Sequence, residues 1–299
     1  MNNVSGARTR DISRVTWIGL LTNALLTVLK LIAGFLGRSS ALVADGFHSL
    51  SDFATDIVIL LGFRIVDKPA DKDHDYGHGK FETLISVVIG LVLLFVGIKI
   101  FAGGLRKIVF SFSGGALPRP GWITLWVAVI SIVAKEWLYR YTIGVAVKVN
   151  SKAVVANAWH HRSDVFSSVG TVLGIGGAIV LGEHWRILDP LAAIVVCIFI
   201  FKVAVTIFLG SMGELLEASL NEETENKILE IVKSVPGVRF PHNMKTRTIG
   251  SDIAIDIHVK VDKDLSIVQA HDIATRVEEK LKKHFGEQTF ISVHTEPCG

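Results

Sequence analysis

Apolar residues dominate the first two thirds of the chain in six long runs separated by short polar stretches. The runs extend from Val15 to Leu36, Ala41 to Phe63, Thr83 to Ala102, Trp122 to Val147, Val154 to Leu181 and Leu188 to Leu209. At about 1.5 Å of rise per residue, each is long enough to cross the ~30 Å hydrocarbon layer of a bilayer as a helix. After Leu209 the pattern changes to short segments. Asn221 to Lys233 sets Ile228, Ile231 and Val232 in an amphipathic helix that stops before Pro236-Gly237. Ile253 to Val259 alternates apolar and polar residues, as a half-buried strand does, and Asn243 to Ile249 carries a weaker strand pattern. A second amphipathic helix is expected over Ser266 to His284 and a last strand over Thr289 to Val293. The order α, β, β, α, β predicts a small sheet covered on one face by two helices. The expected organisation is an all-α six-span transmembrane domain over residues 1–210 and a compact α+β domain over 211–299.

Composition agrees with this division. Half of the 299 residues are hydrophobic and the mean hydropathy is +0.47, too apolar for an ordinary soluble chain. The net charge of +3 is small and dispersed among loops, so no nucleic-acid partner is expected. Cys197 lies in an apolar run and Cys298 close to the C-terminus, which suggests no disulfide. The polar first dozen residues lead into an apolar run longer than a signal peptide's, and the N-terminus is expected to be retained. With that terminus cytoplasmic, Arg8, Arg10, Arg14, Arg64, Lys68, Lys72, Lys80, Arg140, Lys148 and Lys152 fall inside. They outnumber Arg38, Arg106, Lys107, Arg119 and Arg186 outside, so both termini are expected in the cytoplasm.

The second and fifth runs each contain a His and an Asp four residues apart, His48 with Asp52 and His160 with Asp164. This spacing puts each pair on one helical face. Two such faces turned toward each other offer two imidazoles and two carboxylates, a set suited to tetrahedral Zn²⁺. Ionisable groups inside a bilayer are costly and mark a pathway, so the expected function is transport of divalent cations. Asp45 and Asn157, each three residues before its His, share the ligand faces and are candidates for supporting roles. Asp56 lies one turn beyond Asp52. His161 points about 100° away from His160 and is not expected among the ligands. Lys135 and Glu136 in the fourth run read as snorkelling or groove-facing groups. The polar loop from Asp71 to Lys80 adds Asp71, His74 and His78 as a possible cation site, with glycines that let the backbone approach. In the C-terminal segment His258 is expected on the face of Asp256, opposite Ile255 and Ile257, and His294 and Glu296 share a face.

Three stretches carry a resemblance to the cation diffusion facilitator family: Ala44-Asp45-Gly46-Phe47-His48-Ser49-Leu50-Ser51-Asp52, Asp75-Tyr76-Gly77-His78-Gly79-Lys80, and His160-His161-Arg162-Ser163-Asp164. Val268-Gln269-Ala270-His271 and Val293-His294-Thr295-Glu296-Pro297-Cys298 extend it through the tail. The resemblance implies a homodimer of six-span protomers with cytoplasmic ferredoxin-like domains similar to metallochaperones. It implies a transport site of His48, Asp52, His160 and Asp164, a loop site of Asp71, His74 and His78, and a two-metal site of His242, His258, His271, His294 and Glu296. Some bacterial members carry Asp in place of His48, and many carry Asp in place of Glu296. The set present here resembles that of zinc-preferring relatives.

Imidazole binds metal only when neutral, so protons and metal compete for the same nitrogen. The expected mechanism is Zn²⁺/H⁺ antiport that exports Zn²⁺ from the cytoplasm by alternating access, with Fe²⁺, Cd²⁺, Co²⁺ or Mn²⁺ as alternatives. The expected setting is a bacterial inner membrane. No enzyme is expected: a zinc hydrolase keeps an open coordination position and a general base, as in H-E-x-x-H, and that motif is absent.

Overall fold

The computed structural model describes residues 2–61, 71–149, 152–250 and 252–298, with the side chains of 2–13, 55–61, 149, 152, 153 and 156 outside that description. Six long helices come first: α1 (Asn2–Leu36), α2 (Ser40–Leu61), α3 (Lys80–Phe112), α4 (Trp122–Val149), α5 (Lys152–Val180) and α6 (Leu188–Leu215). Among the described residues, Arg14–Leu36, Lys80–Phe112, Trp122–Lys148, Asn157–Val180 and Glu183–Leu215 are long and apolar enough to cross a membrane. The remaining helix, α2, is 22 residues long and carries Asp45, Asp52 and Asp56. The expected end of the second span at Phe63 and the side chain of Asp56 lie outside the described residues. Helices α3 and α6 run past the expected ends at Ala102 and Leu209. Arg106 and Lys107 interrupt the apolar pattern of α3 without ending it, because both residue types favour helix.

The helical bundle is packed as lipid requires. Its interior holds small residues such as Ala33, Ala41 and Ala128, while Leu21, Leu25, Phe95 and Ile198 point outward. A Cβ added to Gly46 of α2 would sit 2.8 Å from the Leu31 side chain of α1, so glycine sets how closely these helices approach. The start of α2 is tied to α6. Asp189 accepts from Ser39 Oγ at 2.5 Å and from the backbone N–H groups of Ser40 at 2.7 Å and Ala41 at 3.3 Å. A carboxylate there satisfies amides that a helix N-terminus leaves unpaired and complements its partial positive charge.

The C-terminal elements are α7 (Glu222–Lys233), β1 (Arg239–Ile249), β2 (Asp252–Val261), α8 (Ile267–Phe285) and β3 (Phe290–Pro297), in the expected order. Asn221 caps α7 by accepting from Thr224 N–H, and Ser266 caps α8 in a capping box with Gln269. The sheet order is β1-β2-β3, with β1 antiparallel and β3 parallel to β2. Ile255, Ile257, Val259 and Val261 of β2 face one core with Ile228 and Val232 of α7 and Ile273, Val277 and Leu281 of α8. This is the ferredoxin-like arrangement, and it leaves Asp256, His258 and Lys260 on the opposite sheet face.

The chain divides into two compact units, Met1–Ile57 with Ile89–Ile207, and Val58–Val88 with Phe208–Gly299. The second unit contains the polar loop before α3 as well as the expected C-terminal segment. Within it, Gly79 approaches the β1–β2 turn so closely that a Cβ would lie 2.8 Å from the Ile249 carbonyl oxygen. Tyr76 packs on Phe290 with ring centroids 5.4 Å apart, Lys80 pairs with Glu217, and Thr83 donates to Glu214 at 2.7 Å.

Candidate metal centres

The two helical pairs converge. One ligand atom each from His48 and Asp52 of α2 and Asp164 of α5 lie within 4.8 Å of one another, and all three residues are buried. His160 lies outside that triad of atoms, on its more open side. Its Nε2 is 3.9 Å from Asp52 Oδ1 and 4.0 Å from Asp164 Oδ2. These separations are wider than hydrogen bonds and leave room for an ion between the atoms. Asp52 Oδ2 and His48 Nδ1 are buried without a hydrogen-bond partner among the described residues. Buried polar atoms normally find partners, so an orphaned carboxylate oxygen and an orphaned imidazole nitrogen in one cluster suit a cation. The group lines a cavity of about 910 Å³, walled on its apolar side by Val196 and Phe199 of α6. His161 is buried near Gly19 of α1, away from the ligands, as its helical angle requires.

Two lysines missing from the expected site stand beside it. Lys135 of α4 donates to Asp164 Oδ2 at 2.7 Å and is 1 % exposed, so it does not snorkel to the membrane surface. Glu136, on the next helical position, pairs with Arg140 instead. Lys30 of α1 pairs with Asp45. Asp45 also accepts from Ser168 of α5 at 3.2 Å, so its carboxylate is engaged in a layer one turn from the ligands. Asn157 sits half-buried on α5. The sequence marked the lysines only by their position inside apolar runs.

The loop residues Asp71, His74 and His78 also gather within 4.8 Å. Asp71 Oδ1 accepts from the Asp73 and His74 N–H groups at 3.0 and 2.9 Å, which folds the loop back on itself. His74 Nδ1 is 3.3 Å from Asp71 Oδ1 and His78 Nε2 is 3.4 Å from Asp71 Oδ2. The Asp73 amide, followed by the contacts with His74, holds the Asp71 carboxyl below its usual range.

On the open face of the sheet, His242, His258 and His294 are in register across all three strands. Irregular pairing on both sides of His242 and a left-handed backbone at Asn243 (φ 48°) bend β1 there. Glu296 lies at the centre. Its oxygens are 2.9 Å from His258 Nδ1, 3.3 Å from His242 Nε2 and 4.0 Å from His294 Nε2. The His258 contact, reinforced by His242 and His294, lowers the Glu296 pKa. His271 is exposed on α8, and among the described residues it does not join the His242, His258 and Glu296 group. A helix on the covered face of the sheet presents its exposed residues away from the open face.

Residues 16–216 match the family of the cation efflux transmembrane domain, and residues 220–298 match the cytoplasmic domain of cation efflux proteins. The manganese efflux system protein MneP of Bacillus subtilis is 33 % identical over 288 residues, covering 95 % of this chain and 95 % of MneP. Metal tolerance protein 2 of Oryza sativa subsp. japonica is 34 % identical over 308 residues, covering 94 % of this chain and 77 % of that protein. The magnetosome protein MamM of Paramagnetospirillum magneticum is 33 % identical over 265 residues, covering 88 % of this chain and 81 % of MamM. With both halves matched in order, the chain belongs to the cation diffusion facilitator family, integral membrane proteins that export divalent metal cations and are not enzymes.

Proposed function

We propose that this protein exports Zn²⁺ from the cytoplasm in exchange for protons, with His48, Asp52, His160 and Asp164 as the transport site. The observation that carries this reading is the convergence of two imidazoles and two carboxylates from α2 and α5, with Asp52 Oδ2 and His48 Nδ1 left without partners among the described residues. A mixed nitrogen and oxygen set matches the tetrahedral preference of Zn²⁺. In the inward-facing state neutral imidazoles and ionised carboxylates take the cation. Rearrangement of the helices then exposes the site outward, where protons compete for the imidazole nitrogens and discharge the metal.

The remaining clusters read as regulatory or structural Zn²⁺ sites. The protein is taken as a homodimer in a bacterial inner membrane, with both termini cytoplasmic and the domain boundary near residue 210. Asp71, His74 and His78 form the loop site. His242, His258, His294 and Glu296 form the sheet site, where His271 adds a ligand only if dimerisation carries it there.

Mn²⁺ is the second reading, favoured by the name of MneP. Against it stand the two imidazoles, since Mn²⁺ prefers oxygen donors more strongly than Zn²⁺ does. Flux of each metal into proteoliposomes with an imposed pH gradient separates the two. Zn²⁺ movement coupled to protons is expected; Mn²⁺ flux that exceeds it would overturn the choice of metal, and flux indifferent to the gradient would overturn antiport.

A further inference from the structure

We infer that Lys135 is a resident counter-cation of the transport site, which lowers its affinity for metal and speeds release. The inference rests on the assignment of Asp164 as a ligand. Lys135 Nζ lies 2.7 Å from Asp164 Oδ2, with the two side chains 1 % and 7 % exposed. An ammonium buried in a membrane helix persists only when paired, and this one is paired to a residue of the metal site itself. Asp164 Oδ2 is also the oxygen 4.0 Å from His160 Nε2, on the side where a shared cation would lie. The oxygen that metal would take there already holds a positive charge. Asp52 Oδ2, by contrast, is buried without a partner among the described residues. One carboxylate is therefore compensated in the empty site and the other is left open.

The charge balance follows. With both imidazoles neutral and both carboxylates ionised, Lys135 leaves the empty site with one net negative charge rather than two. A divalent cation then gives the filled site one net positive charge, whereas without Lys135 it would be neutral. In a medium screened less than water this repulsion weakens binding substantially. Lys135 thus stabilises the empty state and disfavours the filled one, as an exporter that must let its cargo go requires. The long, flexible lysine stem allows the ammonium to withdraw as metal arrives. Lys30 is differently placed: its ammonium is shared among Asp45, Ser49 and Ser168, none of which belongs to the ligand group.

The test is Zn²⁺ uptake by the purified full-length protein in proteoliposomes. Lys135→Met removes the charge while keeping most of the stem, and Lys135→Arg retains the charge. We expect Lys135→Met to lower KM for Zn²⁺ by about tenfold or more and to reduce kcat, with Lys135→Arg restoring KM toward the parent value. A lysine with a purely structural role would instead lower kcat and the melting temperature with KM unchanged. An unchanged or raised KM in Lys135→Met overturns the inference. If Lys135→Met does not fold, Lys135→Gln gives the same readout. Failure of both uncharged variants to fold assigns Lys135 to structure and overturns the inference equally. Asp52→Ala separates this from the site assignment. Normal transport in that variant sinks the site itself, whereas an inactive Asp52→Ala beside an unchanged KM in Lys135→Met sinks only the counter-cation.

Discussion

Lys30 Nζ lies 2.8 Å from Asp45 Oδ2, and both side chains are 1 % exposed. Ser49 and Ser168 close the arrangement, accepting from Lys30 at 3.0 and 3.4 Å, while Ser168 donates to Asp45. The four residues come from α1, α2 and α5. Ser49 follows His48 and Ser168 lies one turn beyond Asp164, so this polar layer fixes how the two ligand-bearing helices face each other.

Breaking a buried ion pair on one side strands the other charge and costs about 3–5 kcal/mol. Asp45→Ala is therefore expected to lower the melting temperature of the detergent-solubilised protein clearly, and Lys30→Met with Asp45→Leu to recover much of the loss. Equal melting of parent and Asp45→Ala would mean that the pair does not hold the helices.

Removal of a ligand carboxylate should end transport, but the two acids differ in what they leave behind. Asp52→Ala is expected to abolish Zn²⁺ flux with little change in melting temperature, because Asp52 Oδ2 has no hydrogen-bond partner to lose among the described residues. Asp164→Ala is expected to abolish flux and also to destabilise the protein by roughly 3–5 kcal/mol, because it strands Lys135. Near-normal flux in either variant would remove that residue from the site.

The sheet cluster has an acid dependence of known sign. The Glu296 carboxyl is held below its usual 4.5, first by the bond from His258. A carboxylate with a lowered folded pKa adds stability that is present above the unfolded value and lost as pH falls through the folded one. Metal-free protein should therefore lose stability below pH 4.5 more steeply than its Glu296→Gln variant. Parallel melting temperatures across that range would show that the His258 contact contributes nothing.

His242→Ala combined with His294→Ala removes two of the three imidazoles around Glu296. The double variant is expected to bind less Zn²⁺ per chain by calorimetry and to dimerise more weakly, while retaining transport because His48, Asp52, His160 and Asp164 are intact. A stoichiometry equal to that of the parent would make these histidines incidental.

The spans and the His-to-Asp stride were legible because both are local properties, set by apolar length and by the 3.6-residue turn. So were the strand faces of His258, His294 and Glu296. What was not legible depends on pairing between distant segments. That Lys135 meets Asp164 follows from the rotation of α4 against α5, which no local pattern encodes. The alignment of His242, His258 and His294 follows from strand register and from the bend at Asn243. His271 carried the right chemistry but lies exposed on a helix, outside the group that the strands bring together. The loop around His78 belongs to the same compact unit as the sheet because glycine at 79 permits backbone contact, a tertiary event rather than a sequence periodicity.

The carboxylate of Asp189 makes the first residues of α2 a fulcrum. With Ser39, Ser40 and Ala41 fastened to α6, α2 can tilt most freely at its far end. His48 lies eight residues along from Ser40, about 12 Å by helical rise. A tilt of about 10° around that fulcrum would displace its ring by about 2 Å, some tenfold more than the ~0.2 Å tolerance of a metal–ligand bond. Asp52, one turn farther out, would travel more. A small angular movement, magnified by this lever arm, is enough to dismantle the cation cage, and it must loosen the Lys30, Ser49 and Ser168 layer as it does so.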